Sequence, residues 1–181
     1  MARDALVRHL TDRALRTDGP FTLRSGEVSD WYLDARQTTF DGQGARLVGE
    51  AVLAVLRDDV VAIGGMTMGA DPIAVATAIT AAGQGRDLKA FSVRKEAKGH
   101  GTGGRLVGPV EEGMSVAVLE DTTTTGGAAI EAARVLRDEG LLVVQAIALV
   151  DRSGGAAGER FAAEGIEYLG LVAPADLGVP A

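Results

Sequence analysis

Between Val118 and Gly127 the chain reads V-L-E-D-T-T-T-T-G-G: an apolar strand ends in two adjacent acids, and a run of hydroxyl and glycine residues then opens a helix. Thr122, Thr123, Thr124 and Thr125, with Gly126 and Gly127, gather backbone amides and hydroxyls around one point at a helix N-terminus. The helix macrodipole favours a phosphate there. Glu120 and Asp121 cannot bind that phosphate directly. Paired carboxylates beside such a cradle suit the hydroxyls of a sugar phosphate, or a Mg²⁺ ion that those hydroxyls also coordinate, reached by Glu120 and Asp121 through water. A capped helix start with acids in its first turn would use some of the same residues. The run lacks the Gly-Lys-Ser/Thr ending of a nucleotide-triphosphate loop.

A second segment, R-K-E-A-K-G-H-G-T-G-G from Arg94 to Gly104, puts Arg94, Lys95, Lys98 and His100 on a polar, glycine-rich stretch. These groups can neutralise charge that grows on a departing pyrophosphate, and the glycines let the stretch open and close over a site. The chain has 18 basic residues, of which only Lys89, Lys95 and Lys98 are lysines, all in one short region. A compact, rotatable ammonium is not interchangeable with a guanidinium as a phosphate ligand or proton donor.

The surrounding pattern supplies the frame. Apolar spacing predicts an amphipathic helix from Ala2 to about Thr17, stopped by Asp18-Gly19-Pro20. Short strands are expected at Phe21 to Arg24 and Trp31 to Ala35, then a helix from Asp41-Gly42 to about Leu56. Beyond it the reading alternates: strand Val60 to Gly64, helix Asp71-Pro72 to about Ala82, strand Leu88 to Val93, an irregular loop from Lys95 to Pro109, strand Ser115 to Leu119, helix Gly126 to Glu139, strand Leu142 to Val150, helix Ala156 to Glu164 and strand Ile166 to Gly170. Repeated β-α-β units predict an α/β fold, a mainly parallel sheet flanked by helices with ligands at the carboxyl ends of its strands. His9, on the first helix, is expected at the surface.

With 181 residues the chain suits a single domain. Having no Cys, it has neither disulfides nor thiolate metal sites, and a start of M-A-R-D-A-L-V-R-H-L is not an apolar signal core, so a cytoplasmic location is expected. The longest apolar stretches are too short to cross a bilayer. A net charge of −7 argues against a general nucleic-acid binder, so an anionic ligand must meet local cations.

The run Val118 to Gly127 resembles the phosphoribosyl-diphosphate signature of type I phosphoribosyltransferases, and Arg94 to Gly104 resembles the mobile catalytic loop of the orotate phosphoribosyltransferase family. The segments F-T-L-R-S-G-E (Phe21 to Glu27) and S-D-W-Y-L-D (Ser29 to Asp34) are similar to that family's hood, where a basic residue and two aromatics border the orotate ring; Arg24, Trp31 and Tyr32 hold those places. Leu149-Val150-Asp151-Arg152 matches the strand end from which the family's arginine meets the orotate carboxylate, a planar group that a guanidinium engages bidentately. The resemblance implies the type I phosphoribosyltransferase fold as one domain over 1–181, with a hood formed largely by 1–40 and a mobile loop at about 95–109. It also implies transfer of a phosphoribosyl group to orotate with Mg²⁺, Lys98 and His100 acting as charge stabilisers or proton donors and Asp121 beside them. A homodimer sharing its loop across subunits is implied as well.

Two departures stand out. The loop that in many family members carries a lysine for pyrophosphate is here G-G-M-T-M-G-A-D-P, with Met66 and Met68 and no base, and Arg24 stands where lysine is common. A purine or xanthine phosphoribosyltransferase is the nearest alternative, opposed by the loop and hood segments. A nucleic-acid-binding regulator that senses phosphoribosyl diphosphate is opposed by the acidic balance.

Overall fold

The computed structural model describes residues 2–22, 26, 28–97 and 104–180. Helix α1 (Ala2–Arg13) buries Leu6 and Leu10 completely and ends four residues earlier than its apolar spacing suggests. The reason is tertiary: Leu15–Arg16 is drawn into an extended pair, β1, with β4 (Tyr32–Leu33). A second antiparallel pair, β2 (Phe21–Thr22) with β3 (Val28–Ser29), completes the small N-terminal unit.

Trp31 to Ala35 is a strand only at β4, because a one-turn helix α2 (Arg36–Thr39) follows at once. Helix α3 (Gly42–Leu53) starts where Asp41 accepts hydrogen bonds from the amides of Gln43 at 3.0 Å and Gly44 at 2.9 Å. Such a cap satisfies donors that the first turn leaves open. His9 is not the surface residue expected. Its ring lies 3.2 Å from Thr38 Oγ1 and 3.0 Å from Asp41 Oδ1, fastening α1 to the cap of α3.

The remainder alternates strand and helix: β5 (Ala62–Met66), α4 (Ala70–Gly83), β6 (Lys89–Val93), β7 (Leu106–Val107), β8 (Ser115–Thr123), α5 (Gly127–Asp138), β9 (Leu142–Asp151), α6 (Ala156–Ala163) and β10 (Glu167–Val172), with a closing 3₁₀ turn at Pro174–Leu177. Together β5 to β10 form one sheet in the order β10-β9-β8-β5-β6-β7, parallel throughout except for β7. The irregular loop expected from Lys95 to Pro109 thus contains a short strand, since Leu106 and Val107 pair with Val93 and Ser92.

Alternation along β8 divides the core. Ala117 and Leu119 face α1, α3 and α4 through Leu6, Val48 and Ile73, while Val116 and Val118 face α5 and α6 through Ile130, Leu136 and Phe161. Helices on both faces explain why the central strands are continuous apolar runs. Strand β8 runs four residues past its expected end at Leu119, because Glu120, Thr122 and Thr123 still pair with Ala148, Val150 and Asp151 of β9. The acid pair is therefore held by a rigid ladder. Among the described residues no helix is long and apolar enough to cross a membrane.

Candidate active site

At the carboxyl end of the sheet, a cavity of about 580 Å³ opens between β5, β8 and the start of α5. Glu120 and Asp121 line it, with Lys95 on one side and Arg36 of α2 on another. Its third wall is the turn after β5, Met66 to Ala70. That turn is anchored by the Thr67 amide, which donates to the Val93 carbonyl at 2.9 Å, and by the Thr67 hydroxyl, which donates to Asp71 at 2.6 Å. It also packs directly on the acid pair. A Cβ at Gly69 would stand 2.7 Å from the Asp121 carboxyl and would push that carboxyl aside.

Burial pushes the Glu120 carboxyl up to about 7; the neighbouring negative charges of Asp121 and Asp151 add to this, and a hydrogen bond from the Thr123 hydroxyl at 2.5 Å opposes it. Burial likewise raises Asp121, against the pull of the Thr122 amide at 2.8 Å and the positive field of Arg36. Two half-buried acids at one strand end are costly to keep charged unless a ligand supplies donors or a cation. Among the described residues no cluster of three or more His, Asp or Glu side chains could hold a metal. Two adjacent carboxylates are a donor set that would fit Mg²⁺, an ion that takes one or two carboxylates and keeps waters or substrate oxygens as its other ligands.

Helix α5 follows Gly126, whose φ of 72° lies in the left-handed region; Gly126 brings no side-chain cap, and the Gly127 amide donates to the Thr125 hydroxyl at 3.4 Å. Its first-turn amides and the exposed Thr124 and Thr125 stand where the sequence suggested an anion cradle. Arg160 of α6 braces that cradle by donating to the Thr125 carbonyl at 2.5 Å. Thr123 departs from the expected role. It is fully buried and its hydroxyl serves Glu120, so it supports the acid instead of lining the cradle.

One strand over, the Arg152 amide donates to the Thr123 carbonyl at 2.8 Å, and the Arg152 guanidinium lies 3.8 Å from the centre of the Trp31 ring. Burial holds that guanidinium below its ordinary value. Trp31 is only 4% exposed, so its face is a platform for Arg152, whereas Tyr32 is 37% exposed. Asp151 and Arg152 also border a second cavity of about 350 Å³, closed by Gly154, Gly155 and Pro174.

The chain is similar to known proteins over most of its length. An orotate phosphoribosyltransferase of Streptomyces avermitilis is 46% identical over 167 residues, 92% of this chain and 91% of the relative. One from Corynebacterium glutamicum is 47% identical over 179 residues, 98% of this chain and 95% of the relative. The chain belongs to the orotate phosphoribosyltransferase family. The Mycobacterium tuberculosis orotate phosphoribosyltransferase in complex with 5-phospho-α-D-ribosyl 1-diphosphate matches at TM-score 0.84 and 33% identity, over 99% of this chain and 100% of that one. The same enzyme in complex with Fe(III) dicitrate matches at TM-score 0.89 and 36% identity, over 99% and 100%. Leishmania donovani adenine phosphoribosyltransferase, 12% identical at TM-score 0.64 over 95% of this chain and 81% of that one, shares the fold. No protein-family model matches the chain.

Within that family frame, the structure gathers Lys95, Glu120 and Asp121 around one cavity, while Arg152 stacks on Trp31 and borders the second cavity. The Arg94 backbone pairs with Arg105, whose side chain reaches the Arg94 carbonyl at 2.7 Å and also contacts Glu131. Arg24, Lys98 and His100 lie outside the described residues. Sequence reasoning missed Arg36, Gly69, Arg105 and Arg160. The only available signal was Arg36 in L-D-A-R directly behind the hood aromatics, since the other three act through contacts distant in the chain.

Proposed function

We propose that this chain transfers the phosphoribosyl group of 5-phosphoribosyl 1-diphosphate to orotate, giving orotidine 5′-monophosphate and pyrophosphate in de novo pyrimidine synthesis. The observation that carries the reading is the paired Glu120 and Asp121 at the end of β8, set shortly before the threonine- and glycine-lined start of α5. Few ligands other than a sugar phosphate need hydroxyl acceptors and a phosphate cradle so close together. Arg152, desolvated over Trp31, supplies a planar cation for the orotate carboxylate.

Reaction follows as displacement at the anomeric carbon by a ring nitrogen of orotate, through a transition state with oxocarbenium character. Thr124, Thr125 and the α5 amides hold the 5′-phosphate, and the acid pair fixes the ribose hydroxyls, so the leaving bond is aligned before reaction. Orotate is already an anion and needs no strong base. Negative charge grows on pyrophosphate, and Arg94, Lys95, Lys98 and His100 are the groups proposed to meet it, Lys98 and His100 also as proton donors. Glu120 and Asp121 would help hold a Mg²⁺ ion carried by the substrate, which would supply electrophilic stabilisation of the same charge.

We further propose a cytoplasmic homodimer in which the loop of one subunit closes the site of its partner. What supports an interface is helix α4, where Val75 and Ile79, one turn apart, are 51% and 68% exposed on a helix whose other face is already buried. To test the function, pure protein is mixed with Mg²⁺, phosphoribosyl diphosphate and a panel of bases. Consumption of orotate in preference to purines is expected. Consumption of adenine or xanthine with orotate untouched would overturn the assignment.

A further inference from the structure

The leaving group poses a charge problem that the turn after β5 does not solve. Met66, Thr67, Met68, Gly69 and Ala70 form that wall of the cavity, and none carries a charge. Arg36 lines the same cavity. Its Nε donates to Asp34 at 2.7 Å, and its backbone amide donates to the same carboxylate at 3.2 Å. Gln37 donates to the other oxygen of Asp34 at 3.2 Å, so Asp34 is itself held. Among the described residues neither terminal nitrogen of Arg36 has a partner. The guanidinium is thus oriented at its inner edge and free at its outer edge.

Ribose geometry then sets which phosphate lies near it. The 5′-phosphate and the diphosphate sit at opposite ends of the sugar, with the hydroxyl pair along the edge between them. With the 5′-phosphate at α5 and the hydroxyls at Glu120 and Asp121, the diphosphate extends to the side of the cavity bordered by Thr67, Lys95 and Arg36. Arg36 also borders an open groove with Phe40 and Asp41, which places it at the mouth of the cavity. We infer that Arg36 is a pyrophosphate-binding residue, presented by Asp34 from the hood and supplying the charge that the turn after β5 lacks. The inference rests on the proposed phosphoribosyl transfer but not on the identity of the base.

Inhibition by pyrophosphate tests it. In Arg36→Gln the inhibition constant for pyrophosphate should rise by roughly ten- to a hundredfold, as expected for losing a charged hydrogen-bond partner. The Michaelis constant for orotate should change by less than about threefold, since its carboxylate partner is untouched. Adding Met68→Lys to Arg36→Gln, which returns a cation from the turn after β5, should recover part of the lost affinity. Arg36→Lys keeps the charge but not the fork and should fall between; it decides the matter should the glutamine variant not fold. An unchanged pyrophosphate constant in both variants, or an equal rise for orotate, overturns the inference. If wild-type protein prefers another base, the same constants are read with that base. If none is consumed, calorimetric titration of wild type and variants with Mg²⁺-pyrophosphate reads the subsite directly.

Discussion

The Glu120 carboxyl ties stability to function in a way that pH can separate. Burial raises it from an ordinary 4.5 to about 7, so the folded chain keeps a proton that the unfolded chain gives up earlier. For an acid shifted upward, stability is full below about pH 4.5, declines as pH rises towards 7, and stays reduced above. A shift of this size is worth up to roughly 3 kcal/mol. Asp121 shifts in the same direction from a lower start, while Asp34, Asp41 and Glu164, held low by hydrogen bonds and ion pairs, act in the opposite sense below about pH 4.5. Those groups are common to wild type and a Glu120 variant, so the difference between the two proteins from about pH 5 to about pH 8 reports Glu120. In Glu120→Gln the Thr123 hydroxyl keeps an acceptor while the charge is gone. In metal-free buffer the variant should gain on wild type as pH rises, reaching about 6–12 °C in melting temperature by about pH 8 for a chain of this size. Its turnover should fall at the same time, by roughly ten- to a hundredfold, because an amide accepts more weakly from ribose hydroxyls than a carboxylate does. Melting curves of the two proteins that stay parallel across this range would refute the reasoning.

Four further outcomes are expected. Arg152→Ala should raise the Michaelis constant for orotate by about ten- to a hundredfold and leave that for phosphoribosyl diphosphate nearly unchanged; steady-state kinetics on both substrates decide, and equal effects would reduce Arg152 to an architectural role. Trp31→Leu, which keeps the site apolar but removes the ring beneath that guanidinium, should show a smaller orotate effect, on the order of the 0.5–2 kcal/mol that cation–π contacts contribute. Gly69→Ala should cost about a hundredfold in kcat/KM with little change in melting temperature, because the added methyl displaces the Asp121 carboxyl from its place in the site. Lys98→Ala should lower turnover by about two powers of ten, and mixing it with Asp121→Asn protein should recover activity; no recovery despite demonstrated subunit exchange would refute a loop shared between subunits.

How much of this was legible in the sequence depended on whether a residue's role was local. The Glu-Asp-Thr run and the alternation of strand and helix were readable, because a period of two or of 3.6 residues and a helix start are properties of neighbours in the chain. The true end of β8 was not. Glu120 to Thr123 are polar and read as loop, yet they remain extended because β9 offers a parallel ladder through Asp151. The same holds for Leu15–Arg16, which leave the α1 pattern to pair with β4, and for α2, whose single turn is too short to show a period. His9 looked like a surface residue because nothing near it in sequence shows that Asp41 and Thr38 wait above it.

The division of charge within the site follows from the topology. Its acids are carried by β8, which has strands on both sides and helices over both faces, so they are fixed to within the tolerance of the sheet itself. The cations that face them come from the periphery: Lys95 from the segment after β6, and Arg36 from a single turn of helix next to the hood. A ribose held by the rigid part stays aligned throughout reaction, which is where misplacement costs most. On the proposed function, pyrophosphate would be held by the peripheral cations, whose displacement would leave the acids on the sheet undisturbed. An arrangement with these positions reversed would let the ribose shift each time the product departed.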